Sequence, residues 1–300
     1  MVSRKRLILS LGVGIVAMSS ASILIRMAQA EGVPSLSIAA WRLLLASLVL
    51  LPYAVLTRRE EMRSLSRREW LLVALSGIFL GLHFAAWIGS LSMTSVASSV
   101  VLVSMGPVFV ALGSRLFLSE RLSTLMAVGI AIAGAGSALI GWADRSGGQD
   151  RLLGDLLALT GAVMVAGYLM IGRRVRARRS LVVYIALVYG AAMITLLLIV
   201  WVTGTPIGGF TPRAYGWMLA LALVPQLIGH STLNWALRHL SAAFVAAATL
   251  TEPVASSILA YLLLRERITP LVLLGGLLIL VGIYVASRSE RAAVTPPPVG

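Results

Sequence analysis

Residues 105–136 read MGPVFVALGSRLFLSERLSTLMAVGIAIAGAG, and the pattern returns 146 residues later, where residues 251–282 read TEPVASSILAYLLLRERITPLVLLGGLLILVG. Five pairs match at this offset without a gap: Pro107 and Pro253, Glu120 and Glu266, Arg121 and Arg267, Gly129 and Gly275, Gly136 and Gly282. Identities at one fixed offset, in segments of similar hydropathy, indicate an internal repeat. The copies differ where Gly106 becomes Glu252, which puts a carboxylate beside a proline inside an apolar run.

The composition is that of an integral membrane protein. Hydrophobic residues make up 59% of the chain and charged residues 12%, against about 25% charged in globular domains. The net charge of +14 does not indicate nucleic-acid binding, because the arginines lie in short blocks between apolar runs, as the positive-inside rule requires. The blocks 58–68 and 173–179 are expected to fix topology and to contact anionic lipid. With no cysteine, the chain has no disulfide and no thiolate metal site.

Spans of about 20 apolar residues predict an all-α protein with ten transmembrane helices. Their ranges are 7–28, 36–56, 70–91, 95–117, 122–142, 152–172, 181–203, 213–237, 241–263 and 268–287. The first span resembles a signal peptide, but its length and Arg26 favour an uncleaved helix. Residues 288–300, which contain three consecutive prolines, are expected to form a disordered cytoplasmic tail.

The distribution of basic residues predicts the orientation. With the N-terminus in the cytoplasm, 18 of the 25 Lys and Arg residues fall on the cytoplasmic side, so both termini are predicted to be cytoplasmic. Five spans in each copy, in domains 7–142 and 152–287, invert the second copy relative to the first. Inverted repeats are typical of secondary transporters, whose substrate site lies near the bilayer midplane between the repeats.

Polar residues inside spans are the first candidates for that site. Glu252 lies within span 9 and is expected to hold a substrate amine or a proton, or else to satisfy the helix that Pro253 breaks. The breaks at Gly106, Pro107 and Pro253 are candidate hinges. Glycines in spans 5 and 10, such as Gly129 and Gly282, are expected to serve packing within one half or dimerisation.

Span 8 carries Gln226, His230 and Asn234 at intervals of four residues, and therefore on one helix face. The pattern is typical of a wet cavity lining, or of hydrogen bonds that join helices. His83 lies one residue from the repeat equivalent of His230, so the two histidines are expected to face each other across the pseudo-twofold axis.

An adaptable apolar pocket is expected around these groups. Its candidate members are Phe84, Trp87, Met105 and Tyr168, although ordinary helix packing explains them equally well. The pair Trp41–Arg42 is expected to anchor span 2 at the outer interface, with a contact to a substrate carboxylate as the alternative.

As a set, these features resemble the drug/metabolite transporter superfamily, in its ten-helix EamA family. The resemblance covers residues 7–287 and is carried by Arg42, Pro107, Glu120-Arg121, Gly129, Glu252-Pro253, Glu266-Arg267 and Gly275. It implies export of small metabolites across the bacterial inner (cytoplasmic) membrane by alternating access, through a cavity lined by spans 1, 3, 4, 6, 8 and 9. Within the family, the chain is similar to exporters of amino acids, including aromatic ones.

We therefore expect a monomeric or homodimeric transporter, embedded in lipid, that exports small molecules and needs no cofactor, metal or nucleic acid. The residues expected to bind substrate are His83, Phe84, Trp87, Met105, Tyr168, Gln226, His230, Asn234 and Glu252. The alternatives are another cargo in the same fold, such as a drug, hydrophobic cation or nucleotide-sugar, or a channel. A membrane-embedded enzyme is a further alternative, but the chain has no P-loop and no His-Glu-x-x-His or Gly-x-Ser-x-Gly motif.

Overall fold

The computed structural model of the chain describes residues 4–93, 99, 102–114, 123–143, 151–264 and 270–294, and all regular structure in these ranges is helical. In chain order the helices are α1 (Arg4–Ser19), α2 (Ala21–Ala30), α3 (Ser35–Arg63), α4 (Arg67–Ser90), α5 (Gly106–Gly113), α6 (Thr124–Ala143), α7 (Arg151–Arg176), α8 (Leu181–Thr203), α9 (Pro212–Leu221), a π-helix (Ala222–His230), α10 (Ser231–Ala236), α11 (Ala242–Thr249), α12 (Glu252–Leu264) and α13 (Pro270–Val294).

Six helical stretches are long and apolar enough to cross a membrane, and they coincide with predicted spans 1, 2, 3, 6, 7 and 8. Shorter apolar helices lie at Thr124–Leu139, Ala242–Ser256 and Leu273–Ala286, within predicted spans 5, 9 and 10. The turns Glu120-Arg121 and Glu266-Arg267 lie outside the described residues. The count of ten spans and the cytoplasmic location of both termini stay predictions.

The C-terminal helix is longer than the sequence pattern predicts. The disordered tail was expected from residue 288, but α13 continues to Val294, and residues 295–300 lie outside the described part of the chain. The segment Arg288-Ser-Glu-Arg-Ala-Ala is rich in residues that favour a helix.

Several spans are broken where they approach the centre of the molecule. Helices α5 and α12 begin at Gly106 and Glu252, which are equivalent in the repeat. Pro107 and Pro253 therefore lie in the first turn of a helix, where the missing N–H removes no internal hydrogen bond. Span 8 contains the π-helix with Pro225 inside it, and π-helical turns are frequent at functional sites.

The closest helix pairs join the first half of the chain to the second. Helix α4 packs against α7, α3 against α8, α6 against α13, and α1 against the π-helix. Under the repeat, the pairs α4–α7 and α1–π-helix are equivalent to each other, and each of the other two pairs maps onto itself. The packing therefore follows a pseudo-twofold axis between the halves.

The glycines of α6 and α13 lie in one of these contacts between the halves. A Cβ atom placed on Gly129 would lie 2.6 Å from the Gly282 carbonyl oxygen, and one on Gly136 would lie 2.5 Å from that of Gly275. Gly129 and Gly275 are repeat equivalents, as are Gly136 and Gly282, so the contact is reciprocal. These glycines were expected to serve packing within one half or dimerisation. Instead, the glycine faces of α6 and α13 meet each other across the two halves of the chain.

The arginine block 173–179 also makes specific contacts, beyond the topological role expected of it. Arg173 donates from Nη1 to the Leu237 carbonyl at 2.8 Å, and Arg176 donates from Nε to the Asn234 carbonyl at 3.0 Å. Both acceptors lie at the C-terminal end of span 8, where a cation also offsets the helix dipole. The block thereby fixes the end of the helix that carries Gln226 and His230.

Candidate functional site

A cavity of about 70 Å³ lies between the two halves of the molecule. Its lining comes from predicted spans 1, 2, 3, 4, 6, 8 and 9, which are the six spans expected from the family resemblance together with span 2. The predicted binding residues that line it are His83, Trp87, Tyr168, His230 and Glu252, and the predicted hinge residues Gly106 and Pro107 lie in its wall.

Three other predicted residues lie directly behind this lining. Phe84 packs its ring edge-to-face against His230, with centroids 5.2 Å apart. Asn234 donates from Nδ2 to the Tyr168 hydroxyl and to the His230 carbonyl, the latter at 2.8 Å. The Gln226 side chain is fully buried and accepts a hydrogen bond from Arg42. These residues hold the lining in place.

Met105 lies apart from the other candidates. It lines a second, largely apolar cavity of about 330 Å³ beside α6, and its side chain is 38% exposed. Met105 is the turn residue just before α5, so its side chain points away from the centre, whereas Gly106 and Pro107 face the cavity. The break expected at Gly106 and Pro107 is present, but the sequence does not show in which direction the residue before it points.

The two histidines share the aromatic side of the cavity. His83 is hydrogen-bonded through Nδ1 to the Gly161 carbonyl at 2.9 Å, and its ring stacks on Trp87 at 6.0 Å with an interplanar angle of 13°. Because a carbonyl only accepts, Nδ1 of His83 carries the hydrogen. The Phe84 ring lies 5.0 Å from His83 and 5.2 Å from His230, so it stands between them.

Arg42 lies where the second of its two expected roles would need it. It was expected with Trp41 at the outer interface, with a contact to a substrate carboxylate as the alternative, and Trp41 does bond the Ile207 carbonyl in the loop after α8. The Arg42 side chain, however, is 0% exposed and lines the central cavity. It lies seven residues into α3, about 10 Å from the helix start. Adjacent helical residues point in different directions, so Trp41 faces the loop while Arg42 faces inward.

The contacts of Arg42 leave half of its guanidinium without partners. Nε donates to the Gln226 side-chain oxygen at 2.8 Å, and Cζ lies 4.1 Å above the centre of the Phe84 ring. Both terminal nitrogens, Nη1 and Nη2, are buried without a hydrogen-bond partner in the described part of the chain. A sequence signal for this role exists, since an arginine inside an apolar run is a functional candidate by default.

Glu252 supplies the carboxylate of the cavity. It is the first residue of the 13-residue helix α12 and is partly accessible from the cavity. A carboxylate is favoured at a helix N-terminus by the free N–H groups and the helix dipole. Among the described residues, Glu252 forms no hydrogen bond and no ion pair within 4.0 Å, including with Arg42. The cavity therefore contains one basic and one acidic side chain that are not in direct contact with each other.

The fold and the cavity together define a class of protein: a helical membrane protein in which two related halves enclose a small cavity with a few polar side chains in a largely apolar wall. The sequence model of the EamA-like transporter family matches residues 6–142 and 152–288, so the chain belongs to this family.

Several curated proteins are similar to the chain over most of its length. An uncharacterized transporter of Clostridium kluyveri is 24% identical, over 83% of this chain and 82% of that protein. The pseudopaline exporter CntI of Pseudomonas aeruginosa is 26% identical, over 79% of this chain and 81% of that protein. A probable terminal-alkyne amino-acid exporter of Streptantibioticus cattleyicolor is 29% identical, over 65% and 67%.

A solved crystal structure shares the fold. It superposes with a TM-score of 0.79 over 98% of this chain and 100% of the matched chain, at 20% sequence identity. At that identity the likeness shows the fold alone.

Proposed function

We propose that the chain exports small metabolites, most notably amino acids that include aromatic and hydrophobic ones, across the bacterial inner membrane. Family membership and the relatives named as exporters support transport of a small molecule. Of these relatives, one is named for an amino acid and one for pseudopaline.

The observation that carries the proposal is the composition of the central cavity. Aromatic and imidazole rings from spans 3, 6 and 8 form one part of its wall, and Arg42 and Glu252 contribute charges of opposite sign. An amino acid needs this combination of an apolar surface for its side chain and charged partners for its backbone groups. A site for lipophilic cations alone would not require a buried arginine.

The size of the cavity supports alternating access. Ligand sites typically measure about 300–1,000 Å³, whereas this cavity measures about 70 Å³, so the lining helices must separate to admit a substrate. We propose that ten spans in two inverted repeats, with both termini cytoplasmic, rock about the helix breaks at Gly106, Pro107 and Pro253. The breaks occupy equivalent positions in the two inverted halves. The motion that opens the cavity to one side of the membrane therefore has an equivalent that opens it to the other side.

The test is counterflow in proteoliposomes. Vesicles that contain the purified chain are loaded with unlabelled L-phenylalanine and diluted into a trace of labelled L-phenylalanine, with and without a pH gradient. We expect saturable accumulation above protein-free vesicles, and competition by other hydrophobic amino acids. If accumulation depends on the pH gradient, the transport is proton antiport. If it does not depend on the gradient, the transport is facilitated diffusion.

Two results would contradict the proposal. The first is accumulation of a labelled lipophilic cation or nucleotide-sugar, under the same conditions, with no accumulation of any amino acid. The second is a flux that does not saturate and reaches ion-like conductance in planar bilayers, which would indicate a channel.

A further inference from the structure

Arg42 is a buried cation whose hydrogen-bonding capacity is only partly used. A guanidinium has five N–H donors in a planar fork. In this structure the Nε donor is bonded to Gln226, the Phe84 ring covers one face of the group, and the four donors on Nη1 and Nη2 have no partner among the described residues. The fork is therefore fixed in direction, and its two terminal nitrogens are buried without a partner in the described part of the chain.

Burying an unpaired charge is costly, and buried charges in proteins are normally paired. The lining contains a carboxylate, Glu252, yet no ion pair within 4.0 Å joins it to Arg42 in the described residues. Four helices from both halves hold Arg42, Phe84, Gln226 and Glu252 around one small space. Helix packing alone does not require two opposite charges to be kept apart in this way.

The unpaired end of the fork matches the chemistry of a carboxylate. Arginine binds a planar carboxylate through two parallel N–H···O bonds. A lysine ammonium or a side-chain hydroxyl in the place of the guanidinium cannot form this pair of bonds. Glu252, which has no hydrogen-bond partner in the described chain, can accept charge-assisted hydrogen bonds from an ammonium. An α-amino acid carries both groups on one carbon, so a single molecule can reach both residues in a small cavity.

We infer that Arg42 binds the substrate carboxylate and Glu252 binds the substrate ammonium, so that the cavity selects zwitterions over molecules that carry only one of the two charges. This inference rests on the proposed function and names the groups that recognise the substrate. Gln226 and Phe84 act as positioning residues, since they hold the guanidinium from behind. The rings of Trp87 and Tyr168 are then left to contact the substrate side chain.

The first experiment uses the unaltered chain and needs no variant that could fail to fold. L-phenylalanine, phenethylamine, which lacks the carboxylate, and 3-phenylpropionate, which lacks the amine, compete against labelled L-phenylalanine in the counterflow assay. We expect the two singly charged analogues to be at least tenfold weaker inhibitors than L-phenylalanine. Equal inhibition by phenethylamine and L-phenylalanine would overturn the role of Arg42, and equal inhibition by 3-phenylpropionate would overturn that of Glu252.

The second experiment assigns each charge to its residue. We expect Arg42→Gln to weaken L-phenylalanine at least tenfold and to abolish its advantage over phenethylamine, and Glu252→Gln to abolish its advantage over 3-phenylpropionate. The matched controls Arg178→Gln and Glu60→Gln remove exposed charges far from the cavity and should keep the affinity and selectivity of the unaltered chain. A purely structural role of Arg42 or Glu252 would lower the amount of folded protein without changing which analogue competes.

The outcomes separate this inference from the proposed function. If the unaltered chain transports L-phenylalanine but both variants keep its full selectivity, the inference is wrong and amino-acid export stands. If the unaltered chain transports no amino acid, both are wrong.

Discussion

The two halves of the molecule meet in two different ways. At the closed contacts, backbone atoms of α6 and α13 approach closely at their glycines, and Arg179 bonds Glu69 and Ser64 across the halves. At the open contact, which is the central cavity, Arg42 and Glu252 lack direct partners. The difference separates contacts that hold the halves together from a contact that is left for a ligand.

Arg179 and Arg42 illustrate this difference with the same side chain. Arg179 forms two hydrogen bonds of 2.6 Å to the two Glu69 oxygens, and Nη1 donates to the Ser64 hydroxyl at 2.8 Å. The hydrogen bonds to Glu69 raise the pKa of Arg179 above its ordinary value, so its charge is retained at any working pH. Arg42 has one side-chain hydrogen bond, to Gln226, and its two terminal nitrogens have no hydrogen-bond partner among the described residues.

The glycine contact gives the largest expected effect on stability. Gly136→Leu would place a Cβ 2.5 Å from the Gly275 carbonyl oxygen and 2.9 Å from the Ile279 nitrogen, and neither backbone atom can move aside cheaply. We expect a cost of about 3 kcal/mol or more from overpacking. The measurement is the thermal midpoint in detergent, together with the monodisperse fraction in size-exclusion chromatography.

Gly134 offers a matched control on the same helix, because a Cβ there would have no heavy atom within 4 Å. Gly134→Leu should leave the thermal midpoint within a few degrees of that of the unaltered chain. Equal loss of stability in both variants would show that α6 tolerates no leucine for a reason unrelated to the contact with α13.

The exchange of each arginine for glutamine should produce opposite results. Arg42→Gln removes a buried charge with idle donors, so we expect substrate affinity to fall at least tenfold while the thermal midpoint of the substrate-free protein stays the same or rises. Arg179→Gln breaks a two-point ion pair between the halves, so we expect a loss of about 1 kcal/mol of stability with unchanged affinity. Counterflow kinetics and thermal unfolding of both variants test this difference. A fall in stability without loss of affinity for Arg42→Gln would mean that Arg42, like Arg179, serves structure and not substrate binding.

The sequence predicted the broad architecture because the relevant signals are local or periodic. The offset of 146 residues and the low share of charged residues led to a repeated helical membrane protein, and family membership confirms that reading. The partner of a glycine face could not be predicted, because the spacing of Gly129 and Gly136 fits packing within a half, between halves or between chains.

Part of the cavity lining was predicted, for a similar reason. His83, Trp87, Tyr168, His230 and Glu252 are unusual residues for an apolar span, and they line one cavity. Arg42 was assigned to the interface because its neighbour Trp41 is typical of one, and its partner Gln226 lies 184 residues away in sequence. Met105 was included for its spacing along span 4, because the break expected at Gly106-Pro107 does not show where the preceding side chain points. Direction around a helix and contacts between distant segments are set by tertiary packing.

An internal counter-ion would convert the open contact into a closed one. The Gln226 side-chain oxygen lies 2.8 Å from Arg42 Nε, so Gln226→Glu would place a carboxylate oxygen at the same distance and pair the guanidinium permanently. We expect a higher thermal midpoint and about a tenfold loss of affinity for L-phenylalanine, because the substrate carboxylate would face an arginine already neutralised. Gln226→Leu separates charge from positioning: it should also weaken binding, but without the gain in stability. Tighter binding by Gln226→Glu would contradict an anion-binding role for Arg42.

The smallest effect is expected from Ser64, which supports Arg179 from one side. Ser64→Ala removes the hydroxyl that accepts from Arg179 Nη1 at 2.8 Å but keeps the Ser64 carbonyl, which accepts from Nη2 at 3.1 Å. The hydroxyl also donates to the Glu61 carbonyl at 2.8 Å. Losing both hydrogen bonds at an exposed site should cost about 0.5–1 kcal/mol, because water replaces the hydroxyl. Thermal unfolding should show a drop smaller than that of Arg179→Gln, and counterflow should be unchanged. A drop as large as that of Arg179→Gln would mean that the hydroxyl, and not the two-point pairing with Glu69, holds this closed contact together.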